Sequence, residues 1–213
     1  MIHKLIFILI TIFSFSASGQ NLILNPSFED TVVFNWNNPF ACGPEDSPPW
    51  FTGNSSPDYF NEIYGIHCSW LIPSNVFGYQ YARTGIGYAG FGSAPTHPAH
   101  ELISYTLVNA LIANHKYYFE FYVSCADSVK YGLDGIGALF TDDTLQITAT
   151  YFYSSQINSL GSPITDTQGW TKISGSFFAL GNERVITIGN LFNDSITNYV
   201  ITNPNAALPN AIS

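Results

Sequence analysis

In the stretch Tyr117-Tyr-Phe-Glu-Phe-Tyr-Val123, the side chains sort into two sets by alternation. Successive residues of a β-strand point to opposite faces. Tyr117, Phe119, Phe121 and Val123 therefore share one face, and Tyr118, Glu120 and Tyr122 share the other. The first face is a core face; the second is aromatic but carries polar tips. Similar strand-like runs surround this one at close spacing, over residues 77–82, 87–91, 101–107, 136–140, 145–151, 170–178 and 184–192. No long stretch shows the helical period and no internal repeat is present. Many short strands broken by turns predict an all-β, antiparallel sandwich or barrel. Residues 40–75 read as a loop, because Pro44, Pro48, Pro49, Pro57 and Pro73 interrupt any long element. The run Asn21-Leu-Ile-Leu24 before Asn25-Pro26 reads as a short first strand entering a turn.

The N-terminus has a different character. Lys4 precedes an apolar run over residues 5–13, followed by Ser16-Ala-Ser-Gly19. Ala17 and Gly19 are small residues three and one positions before a cut, so residues 1–19 read as an export signal and Gln20 as the mature start. The apolar run is too short to span a bilayer and no basic stop-transfer cluster follows it. No membrane insertion is expected once the signal is removed. Residues 20–213 are then one domain, since this length supports one sandwich core.

Charge narrows the function. The chain has a formal net charge of −9, and loss of Lys4 leaves five basic against fifteen acidic residues, a net of about −10. Nucleic acid and anionic membranes need a basic footprint that is missing here. Export makes disulfides available. Cys42 and Cys68 flank the Pro-rich stretch and are expected to pair across it, with Cys125, at the end of a strand-like run, a buried free thiol. Three pairings are open on sequence grounds.

Several motifs occur in a fixed order: Asn25-Pro-Ser-Phe-Glu29, Pro57-Asp-Tyr-Phe-Asn61, Phe77-Gly-Tyr-Gln80, Gly87-Tyr-Ala-Gly90, Tyr117-Tyr-Phe-Glu-Phe-Tyr-Val-Ser124, Ile136-Gly137, Trp170-Thr-Lys-Ile-Ser-Gly175 and Ile188-Gly-Asn190. The series resembles a family of secreted modules with a galactose-binding-like, carbohydrate-binding-module-like jelly roll. These belong to Gram-negative bacteria with gliding-type (type IX) secretion. Such modules often precede a secretion-sorting, gliding-motility C-terminal or outer-membrane-protein-A-like domain. The resemblance implies a jelly-roll β-sandwich located in the periplasm, on the outer-membrane surface or outside the cell. Modules of this kind close with a strand carrying an aromatic–Ile-Asp-Asp-Val pattern, whereas this sequence ends in Thr202-Asn-Pro-Asn-Ala-Ala-Leu-Pro-Asn-Ala-Ile-Ser213. The resemblance therefore implies that the closing strand, and a downstream domain, belong to a longer protein.

It also implies a structural Ca²⁺ near the first strand, held by a Glu at the position of Glu29, by backbone carbonyls and by an Asp of the closing strand. That Asp is missing here, and Asp30 and Asp194 are its candidate replacements. Ca²⁺ takes six to eight hard oxygens, which a rigid turn can present together; an ordinary turn carboxylate is the competing reading for Glu29. No cofactor is otherwise required. Four triplets read Asp, hydroxyl residue, aliphatic, with Thr31, Ser128, Thr144 and Ser195 at their centres. They resemble the O-glycosylation acceptor of the same bacterial group, although Asp and Ser/Thr also gather in turns before strands.

Catalytic patterns are missing. His97, His100 and Glu101 lack the four-residue spacing of a helical zinc site, and Pro95 and Pro98 bar a helix there. Asp134 and the Asp142-Asp143 pair read as turn acids, since adjacent strand residues point to opposite faces. There is no Gly-x-Ser-x-Gly elbow, P-loop or dinucleotide fingerprint. Sugars stack on aromatic rings and bond to nearby amides and carboxylates. Trp50, Tyr59, Tyr79, Gln80, Tyr81, Tyr88 and Trp170 form the candidate ligand-binding set, against the reading that such aromatics fill a β-sandwich core. The expected function is a non-catalytic, secreted adhesion module that recognises glycan. The alternative is a structural spacer that presents a downstream domain.

Overall fold

The computed structural model describes residues 19–32, 42–63, 71–93, 100–145 and 153–206. Residues 1–18, Cys68, His97 and most of the run expected at residues 145–151 lie outside them. The described chain is nearly all β, with antiparallel pairing throughout its sheets. One 3-10 turn, Pro44–Asp46, precedes thirteen strands: β1 (Trp50–Asn54), β2 (Asp58–Asn61), β3 (Ser74–Asn75), β4 (Gly78–Tyr79), β5 (Gly87–Gly90), β6 (Leu102–Thr106), β7 (Lys116–Val123), β8 (Tyr131–Leu133), β9 (Ile136–Thr141), β10 (Ile157–Asn158), β11 (Thr171–Phe178), β12 (Val185–Asn190) and β13 (Tyr199–Ile201).

The largest sheet has the order β1-β6-β12-β9-β10. Its central strand β12 is buried at every residue. One face carries Ile103, Tyr105, Ala138, Phe140, Ile186 and Ile188 into the main core. The other buries Leu102 and Leu139 and beside them the Ser104 and Thr187 hydroxyls, which bond each other across the strands at 3.0 Å. Gly189 in β12 has φ of 148°, and a Cβ there would meet the Leu102 side chain and the Glu101 carbonyl. Glycine is the residue that fits such a backbone so close to a neighbouring strand.

The second layer is β7 paired with β11 from Thr171↔Val123 to Phe178↔Lys116 without a register shift. The alternation seen in the sequence is realised. Tyr117, Phe119, Phe121 and Val123 turn to the core, while Tyr118 and Glu120 are exposed. Phe119 meets Phe140 of the opposite sheet edge-on at 5.3 Å, and Phe140 lies 4.5 Å from Phe177 of β11.

Three expectations differ from the structure. Residues 40–75 are not all loop, because β1 and β2 lie within them. Pro48, Pro49 and Pro57 sit just outside these strands, where they remove no ladder hydrogen bond. The run at residues 77–82 shortens to the two residues of β4. Residues 21–24 form no strand: Ile23 packs on the core, but Leu22 and Leu24 are exposed and no described strand pairs with them. An extended segment needs a ladder partner to become a strand.

Asn25, from the first motif, is buried and works as a hub. Its side-chain amide donates to Ser47 Oγ and to the Asp30 and Pro48 carbonyls, and its Oδ1 accepts from the N–H groups of Glu29 and Asp30. Asp134, in the β8–β9 turn, is fully buried. It accepts from Gly161 N, Asn198 N and Asn198 Nδ2 at 2.7–2.8 Å, tying the turn to two other loops. Replacing Asp134 by Ala leaves these donors without a partner in the interior. We expect the Asp134→Ala protein to lose about 2–4 kcal/mol of unfolding free energy in a denaturant titration. A loss under ~0.5 kcal/mol would mean that Asp134 does not hold these loops.

Candidate functional site

The candidate aromatics divide by position. Trp50, Tyr59 and Tyr88 are 4–5 % exposed. Trp50 stacks on Phe28 at 4.6 Å and donates its indole N–H to the Asn25 carbonyl. Tyr59 donates to the Phe28 carbonyl. Tyr88 stacks on Phe60 at 5.0 Å, and burial pushes its phenol up to about 12. These three are core side chains. Tyr79 and Tyr81 are 55 % and 60 % exposed, and Trp170 and Gln80 are half-buried.

Tyr79, Gln80 and Tyr81 sit on one strap, and Trp170 meets it from the start of β11. The β3–β4 hairpin is pinned where Ser128 N donates to the Phe77 carbonyl and Tyr79 N donates to Asp127 Oδ1. Beyond it, the chain runs beside β7 and β11. Tyr79 and Tyr81 meet edge-on at 5.5 Å with their hydroxyls 3.2 Å apart, an interaction that raises the Tyr79 phenol above its ordinary value. Gln80 accepts from Ser124 Oγ and donates to the Tyr81 carbonyl, which also accepts the Trp170 indole N–H at 3.2 Å. Arg83 lies 3.4 Å from the centroid of the Tyr122 ring. A guanidinium over a ring face is held by the ring quadrupole.

Next to the strap is the outer face of β7 and β11, a feature that sequence reading left out of the site. Tyr118 is 59 % exposed and donates to Glu120 Oε2 at 2.7 Å. That bond, reinforced by the Lys172 ammonium 3.5 Å away, holds the Glu120 carboxyl below its usual range. Arg83, Lys116 and Lys172 are three of the five basic residues beyond Lys4, and all three are exposed. The signal was present in the polar tips of Tyr118, Glu120 and Tyr122, which the core-face argument left over.

Between the two layers lies an open groove of about 840 Å³. Ile103, Leu107 and Ile188 line it from the larger sheet and Phe119 and Phe121 from β7, with residues 20–23 also along it.

The other predicted site residues lie elsewhere. Both Glu29 carboxylate oxygens accept backbone N–H groups from Ile86, and Oε1 accepts Gly87 as well, at 3.0–3.2 Å. Oxygens faced by N–H donors form a turn clasp. Asp194 is bonded by His100 Nε2 at 3.0 Å and by the Tyr199 hydroxyl at 2.6 Å. Among the described residues no group of three or more His, Cys, Asp or Glu side chains converges as a metal site. Thr144 and Ser195 are exposed on turns, whereas Thr31 and Ser128 are half-buried. Cys125 is a free, buried thiol, raised above its ordinary value by burial. Cys42 is buried and disulfide-bonded.

One carboxylate stands out. Burial, with the Glu101 charge nearby, pushes Asp58 up to about 7. Glu101 itself accepts from Ser56 Oγ and Gly92 N, so the pair is absorbed in loop structure.

No protein-family model matches the chain, and no curated protein or solved structure matches it. The geometry itself defines the class: an all-β protein of antiparallel sheets. No helix among the described residues is long and apolar enough to cross a membrane.

Asp58 has a measurable consequence. Its folded value lies above the unfolded 3.8, so the folded state retains the proton longer. The stability contributed by this group is fully present below about pH 4, is lost as pH rises toward 7 and is level above. Asp46, pushed up to about 6 by burial and then by Glu45, acts in the same direction. Asp58→Asn should flatten the profile and raise stability at pH 8 by about 1 kcal/mol or more. Thermal unfolding from pH 4 to 8 reads this, and a parallel profile for the variant would contradict it.

Proposed function

We propose that this protein is a secreted, non-catalytic binding module that recognises glycan at the cell surface or outside the cell. The reading rests on one observation: Tyr79, Gln80 and Tyr81 are held on one strap by mutual hydrogen bonds and a ring contact, and by the indole N–H of Trp170 from the start of β11. Exposed rings fixed by their neighbours offer stacking area without a large ordering cost on binding. Gln80 and the outer face of β7 and β11 supply polar partners for hydroxyls. Single contacts of this kind are weak, and multivalent display raises them.

The two packed antiparallel layers are compatible with a galactose-binding-like jelly roll of the gliding-type secretion family. Binding of the exported protein to an array of polysaccharide classes tests the function. Tyr79→Ala and Tyr81→Ala should each weaken a hit by about tenfold, the loss of a stacking contact worth ~1.4 kcal/mol, without lowering the melting temperature. No hits across all classes would leave the spacer role in its place.

We further infer that Cys42 pairs with Cys68. Alkylation of the unfolded, unreduced protein followed by peptide mapping should label Cys125 alone, and all three cysteines after reduction. Labelling of all three before reduction would refute the pairing.

A further inference from the structure

Strand β7 is paired with β11 along one side, and no described residue hydrogen-bonds to the backbone of its other side. An open strand edge is a row of N–H and C=O groups ready to pair with another chain. Proteins usually blunt such an edge with proline, bulges, charged side chains, short length or a covering loop. Strand β7 carries charges, Lys116 and Glu120, only on its outer face; it is eight residues long, lacks Pro, keeps an unbroken register with β11 and turns aromatic side chains inward.

The surroundings of the edge are apolar as well. The groove of about 840 Å³ runs between β7 and the larger sheet. Ahead of the N-terminal end of β7, Val108 and Ile112 are each 59 % exposed. Apolar surface beside an open backbone edge fits a polypeptide, because only another strand supplies both the ladder and the alternating side chains.

We propose that this edge is a homodimer interface in which β7 pairs antiparallel with β7 of a second copy. The pattern of β7 is self-complementary in one register. Directly opposed residues must lie on the same face, so the two-fold axis passes through a residue rather than between two. An axis at Glu120 would set the two Glu120 carboxylates opposite each other, which is unfavourable. Axes at Tyr118 or Phe121 would pair only five residues of the strand. An axis at Phe119 pairs seven, from Lys116 to Tyr122. On the inner face it sets Tyr117 against Phe121 of the second copy and Phe119 against its own mate. On the outer face it sets Tyr118 against Glu120, and Lys116 against the Tyr122 ring. Every opposed pair is aromatic with aromatic, hydroxyl with carboxylate, or cation with ring. An isologous contact of this kind closes on itself and stops at two copies. The result is a four-stranded sheet β11-β7-β7-β11 that displays the exposed aromatic face twice.

The oligomeric state is read without any ligand, so the test is independent of the glycan reading. Sedimentation equilibrium of the exported protein should show a dimer. Tyr118→Glu puts like charges opposite Glu120 twice per dimer and should raise the dimer dissociation constant by about tenfold. Combining Tyr118→Glu with Glu120→Lys opposes unlike charges and should restore it. Hydrogen exchange supplies a second readout: the β7 amides should gain protection as concentration rises. A wild-type monomer at all concentrations, a dimer indifferent to Tyr118→Glu, or β7 amides already protected in a monomer would each overturn the proposal. The last result would assign the groove to another part of the same polypeptide.

Discussion

Phe140 is a central side chain among those through which the two layers are coupled. It projects from the larger sheet between Phe119 of β7 and Phe177 of β11, at 5.3 and 4.5 Å. A two-stranded ribbon is not stable by itself in water and needs a hydrophobic face to pack against. The β7–β11 ribbon therefore depends on that aromatic contact, and with it the placing of everything on the outer surface. Once Phe119 and Phe177 are turned inward, the pleat fixes Tyr118, Glu120 and Lys172 outward. The exposed face is thus a geometric consequence of the core.

The strap that carries Tyr79 and Tyr81 is built differently. It has almost no ladder of its own, since β3 and β4 pair only over two residues each. Its position comes from Phe77, packed on the core, and from polar contacts: Tyr79 N to Asp127, Ser128 N to Phe77 O, Ser124 Oγ to Gln80 and the Trp170 indole to Tyr81 O. The strap is thus ordered by side-chain contacts, and the β7–β11 sheet beside it by its backbone ladder.

Where the chain alternates and is half-buried, as in β7 and β11, period-two reading locates the strand and both of its faces. Continuous apolar runs such as β9 and β12 are also legible, because their flanking turns bound them. Strands β1 and β2 escape notice because prolines just beyond their ends dominate a local reading, although the strands themselves contain none. Residues 21–24 fail in the opposite sense: the apolar run is real, but pairing is a long-range property that composition does not report. The same limit governs the site. Tyr59, Tyr79, Tyr81 and Tyr88 are the same residue in similar company, and only tertiary position sends two to the core and two to the surface. Glu29 is legible as a turn acid, yet which atoms its carboxylate faces is decided by residues 86 and 87, more than fifty positions away.

An aromatic strand with polar tips satisfies two demands at once, and β7 meets both with one alternating pattern. Its inner side contributes to a core, and its outer side can offer rings to a ligand without exposing purely aliphatic surface. Its lateral edge is the third demand, and among the described residues no strand pairs with it. Natural sheets seldom leave a long, flat, aromatic edge open, because the unpaired backbone recruits partners indiscriminately. The charged residues on β7, Lys116 and Glu120, lie on the outer face and leave the inner approach to the groove apolar. They do not protect the edge; they select what may pair with it, since a strand must avoid setting an acid against Glu120. Selective pairing rather than protection is the behaviour of an interface. The physical logic of β7 therefore runs from alternation, through the core contact at Phe140, to an edge whose charges choose a partner.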